Sequence, residues 1–79
     1  MQGFIHKVIS NHREEWSIDF GGYEVKMIHI QLPLYEIWKV DIDSPDKKTS
    51  LDHSFEVTSK EEAIKAIDLI IELITNFLI

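Results

Sequence analysis

The segment over residues 59–79 constrains the fold more than any other, because it reads as one long helix that nothing interrupts. Ser59 is a favourable N-cap, and Glu62, three residues later, completes a capping box. From Ala63 onward, 12 of the 17 residues are apolar. At about 100° per residue, the polar side chains fill an arc of roughly 100° and the apolar ones roughly 220°. A helix resting on a sheet buries a stripe not much wider than about 100°, so this helix has apolar surface to spare.

Upstream of the helix, short alternating segments separated by turn residues predict a series of antiparallel strands. Gly21-Gly22 is the strongest turn signal, because glycine takes positive φ in a two-residue hairpin at little cost. Pro33 marks a second tight turn, and Ser44-Pro45-Asp46 marks the turn of a longer polar loop. The predicted strands cover residues 4–10, 15–20, 23–32 and 34–42, with a short fifth strand over 54–57.

The turns also predict how the strands pair. Closing the glycine turn pairs Trp16 with Met27. A four-residue loop over 11–14 pairs Ile9 with Trp16, and further along it pairs Ile5 with Phe20. With a two-residue turn before the fourth strand, one face of the sheet carries a continuous apolar set: Ile5, Ile9, Trp16, Ile18, Phe20, Tyr23, Val25, Met27, Trp38, Val40 and Ile42. The helix is expected to pack on this face through Ile64, Ile67, Ile71, Ile74 and Leu78.

These patterns agree with one another, which favours a single α+β domain over residues 1–79. We expect an antiparallel β-meander of four to five strands over 4–57, with one long C-terminal α-helix over 59–78 packed on one face. The chain has no cysteine, so disulfides and thiolate chemistry are excluded. The first ten residues lack a signal-peptide core, and no apolar run in the helix approaches a membrane span. We therefore expect a cytoplasmic protein with no membrane partner.

Acidic residues are spread along the chain. The formal net charge is −6, and charged residues over 1–22, 23–42, 43–58 and 59–79 sum to −1, −1, −2 and −2. An evenly acidic surface disfavours the phosphate backbone of DNA or RNA, so no direct nucleic-acid binding is expected. The same charge is compatible with a larger, basic protein partner.

Two apolar surfaces exceed what the core needs. Ile28, Ile30, Tyr35 and Ile37 cluster near Pro33 on the face that alternation leaves to solvent, and such a patch is typical of an interface. The alternative is that the sheet twists or bulges there and other residues cover them. The second surface is the flank of the helix, which predicts a homodimer. The alternative is that the curled sheet, or the fifth strand with Phe55 and Val57, covers it. This flank comprises Ala63, Ala66, Ile70, Leu73 and Phe77, and the predicted dimer interface is Ala66, Ile70, Leu73 and Phe77.

None of the candidate metal-binding or catalytic groups in the sequence forms a complete site. His12, Glu14 and Glu15 share one loop, and Asp52 and His53 are adjacent in another, but neither group has the spacing of a metal site. The acids Asp41, Asp43, Asp46 and Asp52 do not fit a calcium-binding loop, since Pro45 stands at its fifth position. His29 is expected near Glu36 or Trp38, where a cross-strand contact is favoured over an acid–base pair. We therefore predict no metal, no cofactor and no enzymatic activity.

The resulting hypothesis is a small, acidic, non-catalytic protein-binding module. Its layout is similar to that of the small acidic proteins with which phages and other mobile elements block host machinery, anti-CRISPR proteins among them; the similarity lies in size, charge and architecture. It implies an inhibitor that covers a functional surface on its partner, with Asp41, Asp43 and Asp46 standing in for phosphates. The predicted partner-binding residues are Ile28, Ile30, Tyr35, Ile37, Asp41, Asp43 and Asp46. Two alternatives are a structural or assembly subunit of a larger complex, and a small ligand-binding protein or enzyme.

Overall fold

The structure is a computed structural model that describes residues 3–44 and 53–78. Five strands form one antiparallel sheet in the order β1-β2-β3-β4-β5, and a single helix packs on one of its faces. This confirms the predicted α+β fold, an antiparallel meander with one C-terminal helix. The elements are β1 (Ile5–Ser10), β2 (Arg13–Phe20), β3 (Tyr23–Gln31), β4 (Glu36–Asp43), β5 (His53–Val57), α1 (Lys60–Leu73) and a π-helical segment (Ile74–Leu78).

The glycine turn joins β2 to β3 as predicted. Gly21 and Gly22 have φ values of 62° and 85°, in the region that side chains other than glycine rarely adopt. Phe20 pairs with Tyr23 across the turn. The Gly22 N–H donates to Oδ1 of Asp19 at 3.2 Å, which holds the turn from its flank. This turn sets the register of β2 against β3.

The turn near Pro33 is also confirmed, although β3 ends earlier and β4 begins later than predicted. The Leu32 N–H donates to the Tyr35 carbonyl at 2.8 Å. β3 ends at Gln31 and β4 begins at Glu36, which pair with each other. The turn therefore brings β4 into the predicted alignment with β3, and the rings of Trp16 and Trp38 stack on the same face with centroids 6.2 Å apart.

The predicted pairing of β1 with β2 is wrong. Trp16 pairs with His6, and Ile5 pairs with Ser17. The loop is shorter than expected because β2 already begins at Arg13, and a β-bulge between Val8 and Ser10 takes up the extra residue. As a result, Ile5 lies on the opposite face of the sheet from Trp16.

The core lies between α1 and the middle of the sheet. Val25, Met27 and Val40 on the sheet are fully buried, as is Ala63 on the helix. The prediction that Ala63 belongs to a spare helix flank is therefore wrong. Of the predicted helix contacts, Ile67 and Ile74 are buried and Ile64 and Ile71 are half-buried against the core, while the side chain of Leu78 lies outside the described residues.

Both ends of the helix have identifiable side-chain hydrogen bonds. Ser59 Oγ accepts from the Glu62 N–H at 3.2 Å, as the predicted capping box requires. The Glu62 carboxylate accepts a hydrogen bond from the N–H of Thr58, one residue before the cap. At the other end, the Thr75 hydroxyl donates to the Ile71 carbonyl at 2.7 Å within the π-helical segment. The cap fixes where α1 begins above the sheet.

Candidate functional site

The face of the sheet opposite α1 contains most of the predicted partner-binding residues. We call it the open face, because none of the helical segments in residues 3–44 and 53–78 packs on it. Side chains alternate between the two faces of a strand, so residues next to the buried Val25 and Met27 point to the open face. These include Lys26 and Ile28 on β3, and their cross-strand partners on β2 and β4.

One end of the open face carries a row of three carboxylates. Asp19 on β2 pairs with Glu24 on β3, and Glu24 pairs in turn with Asp43 on β4. We call these three residues the acidic row. Lys26 Nζ lies 3.4 Å from Glu24 Oε1 and 4.0 Å from Glu15 Oε1. The row therefore has more negative charge than its nearest lysine neutralises, and directly opposed like charges in a sheet are destabilising.

The other end of the open face is apolar. Ile30 pairs directly with Ile37, and both are half-buried. Ile28 is only 3% exposed, so it offers almost no surface to a partner. At the turn beyond them, Tyr35 and Leu34 are largely exposed. Of the predicted apolar patch, Ile30, Ile37 and Tyr35 are accessible, and their role in binding stays a prediction.

The three predicted acids near the end of β4 are placed differently. Asp43 is exposed and belongs to the acidic row. Asp41 is half-buried, and its Oδ1 atom is buried with no hydrogen-bond partner among the described residues. A buried carboxylate oxygen without a donor lowers stability. Asp46 lies outside the described residues.

The helix flank predicted as a dimer interface is only partly exposed. Ala66 and Ile70 are half-buried and pack against the core. Leu73 is 42% exposed and Phe77 76% exposed. Leu69, which the prediction left out, is also exposed, so the exposed apolar stripe on the helix is Leu69, Leu73 and Phe77, at four-residue spacing. A dimer through this stripe stays a prediction.

On the helix-facing side of the sheet, four polar side chains form a chain of hydrogen bonds across four strands. We call them the His–Glu cluster: His6 on β1, Glu14 on β2, His29 on β3 and Glu36 on β4. His6 Nε2 lies 2.9 Å from Glu14 Oε1. His29 Nδ1 lies 3.2 Å from Glu14 Oε2, and its Nε2 lies 2.9 Å from Glu36 Oε2. The antiparallel register pairs Glu14 directly with His29, and it places His6 and Glu36 diagonally beside them on the same face.

Each histidine ring of the cluster stacks on a tryptophan ring. The His29 ring stacks on Trp38 with centroids 3.9 Å apart and planes 10° apart. The His6 ring stacks on Trp16 at 4.6 Å and 13°. Lys60, the first residue of α1, places its Nζ 5.4 Å from the centroid of the Trp16 ring. The cluster therefore lies near the start of α1, and its rings have fixed orientations.

The hydrogen bonds lower the pKa values of the two glutamates in the cluster. Each of the two ring nitrogens of His29 lies within hydrogen-bond distance of a carboxylate. The hydrogen bond from His29, followed by that from His6, holds the pKa of Glu14 below its usual value of 4.5. His29 and then Trp38 lower the pKa of Glu36 in the same way. The arrangement therefore favours the ionised form of both glutamates.

An open cleft of about 200 Å³ adjoins the cluster at the β1–β2 turn. Glu14 and His29 form part of its lining, with Arg13 beside them. The Arg13 Nε lies 2.9 Å from Glu15 Oε2, and the Ser10 hydroxyl accepts from the His12 N–H at 3.1 Å. The side chains of Arg13 and Ser10 therefore already have partners within the fold. The full lining is Val8, Ser10, Asn11, His12, Arg13, Glu14, His29 and Gln31.

The sequence predicted one part of the cluster and missed the rest. His29 contacts both Glu36 and Trp38, which confirms the predicted cross-strand contact. Glu14 and His6 were missed, because the wrong β1–β2 register put Ile9 beside Trp16. The available signal was the alternation in β2, which places Glu14 on the same side as Trp16.

Comparisons with known proteins identify no family for this chain. No protein-family model, no curated protein and no solved structure matches it. Within residues 3–44 and 53–78, no three histidine, aspartate or glutamate side chains are placed to hold a metal ion. In the same residues, no helix has the length and apolar character needed to cross a membrane.

Proposed function

We propose that the protein is a non-catalytic protein-binding module that docks its open face on a basic surface of a larger protein. The acidic row is the observation that carries this proposal. Asp19 and Asp43 each stand directly opposite Glu24, and each of these like-charged pairs costs a few tenths of a kcal/mol, up to about 1 kcal/mol. Lysine and arginine side chains on a partner would offset that repulsion.

The apolar end of the open face supplies the second half of the contact. Ile30 and Ile37 form a direct cross-strand pair, and Tyr35 is exposed at the turn beside them. Interfaces gain most of their affinity from a few apolar and aromatic residues that become fully desolvated. The carboxylates, by contrast, give orientation and rate of association. The expected footprint is therefore an apolar contact flanked by basic side chains.

Covering a functional surface of its partner would make the protein an inhibitor, which is the role implied by its similarity in layout to small acidic phage proteins. A subunit that assembles into a larger complex would use the same face, and it would be recovered in stoichiometric amounts with its neighbours. The His–Glu cluster supports an acid–base role less well, because its carboxylates and imidazoles are already paired with one another.

A pull-down with charge-reversed variants tests the proposal. Glu24→Lys with Asp43→Lys reverses the charge of two of the three carboxylates in the acidic row, and Asp68→Lys with Glu72→Lys makes the same change in net charge on the exposed side of α1. A basic protein retained from the native cell lysate by the unmodified chain and by the helix variant should be lost with the open-face variant. Retention by all three proteins, or equal loss with both variants, would contradict docking through the open face.

A further inference from the structure

Strand β1 is an edge of the sheet, and its outer side pairs with no strand in the described part of the chain. All six of its residues are exposed, including Ile5 and Val8 at 69% each. α1 packs on β3, β4 and β5 and leaves β1 uncovered. An exposed edge with apolar side chains is a template for pairing with another strand.

The register shows which main-chain groups point outward. In a two-residue hairpin, the residues flanking the turn exchange hydrogen bonds, so Phe20 and every second residue before it bond to β3. The intervening residues of β2 bond to β1, namely Ser17 to Ile5 and Glu15 to Lys7. The main-chain N–H and C=O of His6, which lies between these two, therefore point away from the sheet.

Of the features that discourage pairing at a sheet edge, β1 has one lysine and one bulge. It contains no proline, and its bulge lies at its C-terminal end, between Val8 and Ser10. It is also the only one of the five strands without an acidic residue, and it carries Lys7. In a chain of net charge −6, β1 is thus the strand along which two copies meet with the least repulsion.

We propose that two copies of the chain join their β1 strands antiparallel, about a twofold axis at His6. Symmetric pairing uses the same edge twice and needs no second surface. An axis at Lys7 would set two lysines directly opposite each other, which is unfavourable. An axis at Val8 would run the contact into the bulge. The axis at His6 instead sets Ile5 opposite Lys7 of the second copy, and Phe4 opposite its Val8.

This pairing extends the sheet to ten strands. The open faces of the two copies become one surface, with an acidic row towards each end. The inference does not depend on what the open face binds, since it rests on β1 alone. The exposed helix stripe of Leu69, Leu73 and Phe77 is the competing contact, but it offers no main-chain hydrogen bonds and no register.

Disulfide trapping tests the register directly, because the native chain has no cysteine. Ile5→Cys combined with Lys7→Cys puts two thiol pairs across the axis at His6, at the close spacing of a non-hydrogen-bonded antiparallel pair. Mild oxidation should convert this variant to a covalent dimer. Lys7→Cys alone should stay monomeric under the same conditions, as should Glu72→Cys, which controls for chance collisions. Cross-linking of Lys7→Cys alone would overturn the proposed register.

Sedimentation velocity of the native chain tests the dimer without a covalent trap. We expect a dimer that Ile5→Lys with Val8→Lys converts to monomer, with an unchanged circular dichroism spectrum. Phe77→Glu should leave the dimer intact. A native chain that stays monomeric at hundreds of micromolar, or a dimer that Phe77→Glu abolishes and the β1 variant leaves intact, would refute pairing through β1. If the β1 variant does not fold, the trapping experiment decides alone.

Discussion

The helix-facing side of the sheet has two ends that follow the same alternation and are stabilised in different ways. Under α1, Val25, Met27 and Val40 are fully buried in an apolar core. Near the start of α1, the helix-facing positions that follow Trp16 on β2 and Met27 on β3 are Glu14 and His29, which hydrogen-bond across the strands. We call these the covered end and the polar end.

The difference shows that the pattern of a strand alone does not define a core. A strand specifies which side chains share a face, and the length and position of the helix decide how much of that face is kept from water. Beyond the end of the helix, aromatic rings and hydrogen-bonded polar side chains replace aliphatic packing. Trp16 and Trp38 lie at the boundary, in contact with the core on one side and with the histidines on the other.

The largest difference between the two ends should appear in stability. Met27→Ala removes a fully buried side chain, and we expect a loss of about 2–5 kcal/mol in the free energy of unfolding. Glu14→Gln at the polar end keeps the size of the side chain, and we expect a loss of less than about 1 kcal/mol. Urea unfolding of both variants measures the two losses. Equal losses would show that the polar end contributes as much to the fold as the core.

Much of the sheet could be predicted, because its turns are local signals. Two glycines with positive φ fix one hairpin, and a proline turn fixes the next, so the register of β2, β3 and β4 follows from short sequences. The bulge in β1 has no comparable signal. Residues 11–14 fit a four-residue loop as well as a two-residue turn, and the choice shifts β1 relative to β2.

That one error hid most of the His–Glu cluster. With the correct register, His6 pairs with Trp16 and reaches Glu14, whereas the predicted register placed Ile9 there. The sequence also could not show which residues of the open face are exposed to solvent. Ile28 is buried although it lies on a face that alternation leaves to solvent, and the sequence has no local signal for this burial.

A smaller effect is expected from breaking the polar end at its centre. His29→Phe keeps an aromatic ring on Trp38 and removes both hydrogen bonds to the glutamates. Since these bonds are partly exposed, we expect a loss of roughly 0.5–1.5 kcal/mol in the free energy of unfolding, less than for Met27→Ala. Urea unfolding near pH 6 gives the value. A loss as large as that of Met27→Ala would mean that the two ends form one cooperative core.

The smallest effect concerns acid stability, and it should belong to the polar end alone. The pKa values of Glu14 and Glu36 are lowered in the fold, chiefly by the hydrogen bonds from His29. A carboxyl group whose pKa is lowered by folding stabilises the fold above its unfolded value, here about 4.5. That contribution is lost as the pH falls through the lowered values. The melting temperature of the native chain should therefore decline below pH about 4.5, and His29→Phe should make that decline shallower.

Carbon-detected titration of the two carboxyl groups would separate this effect from the rest of the chain. In His29→Phe the pKa values of Glu14 and Glu36 should both rise towards 4.5, and each should stop short of it, because Glu14 keeps its hydrogen bond to His6 and Glu36 keeps its hydrogen bond to Trp38. Glu62 is the internal control, since its pKa is lowered by the Thr58 hydrogen bonds at the helix cap. A pKa of Glu62 that moved with the other two would point to a change in the whole fold. Unchanged values for Glu14 and Glu36 would show that His29 does not control the charge of the polar end.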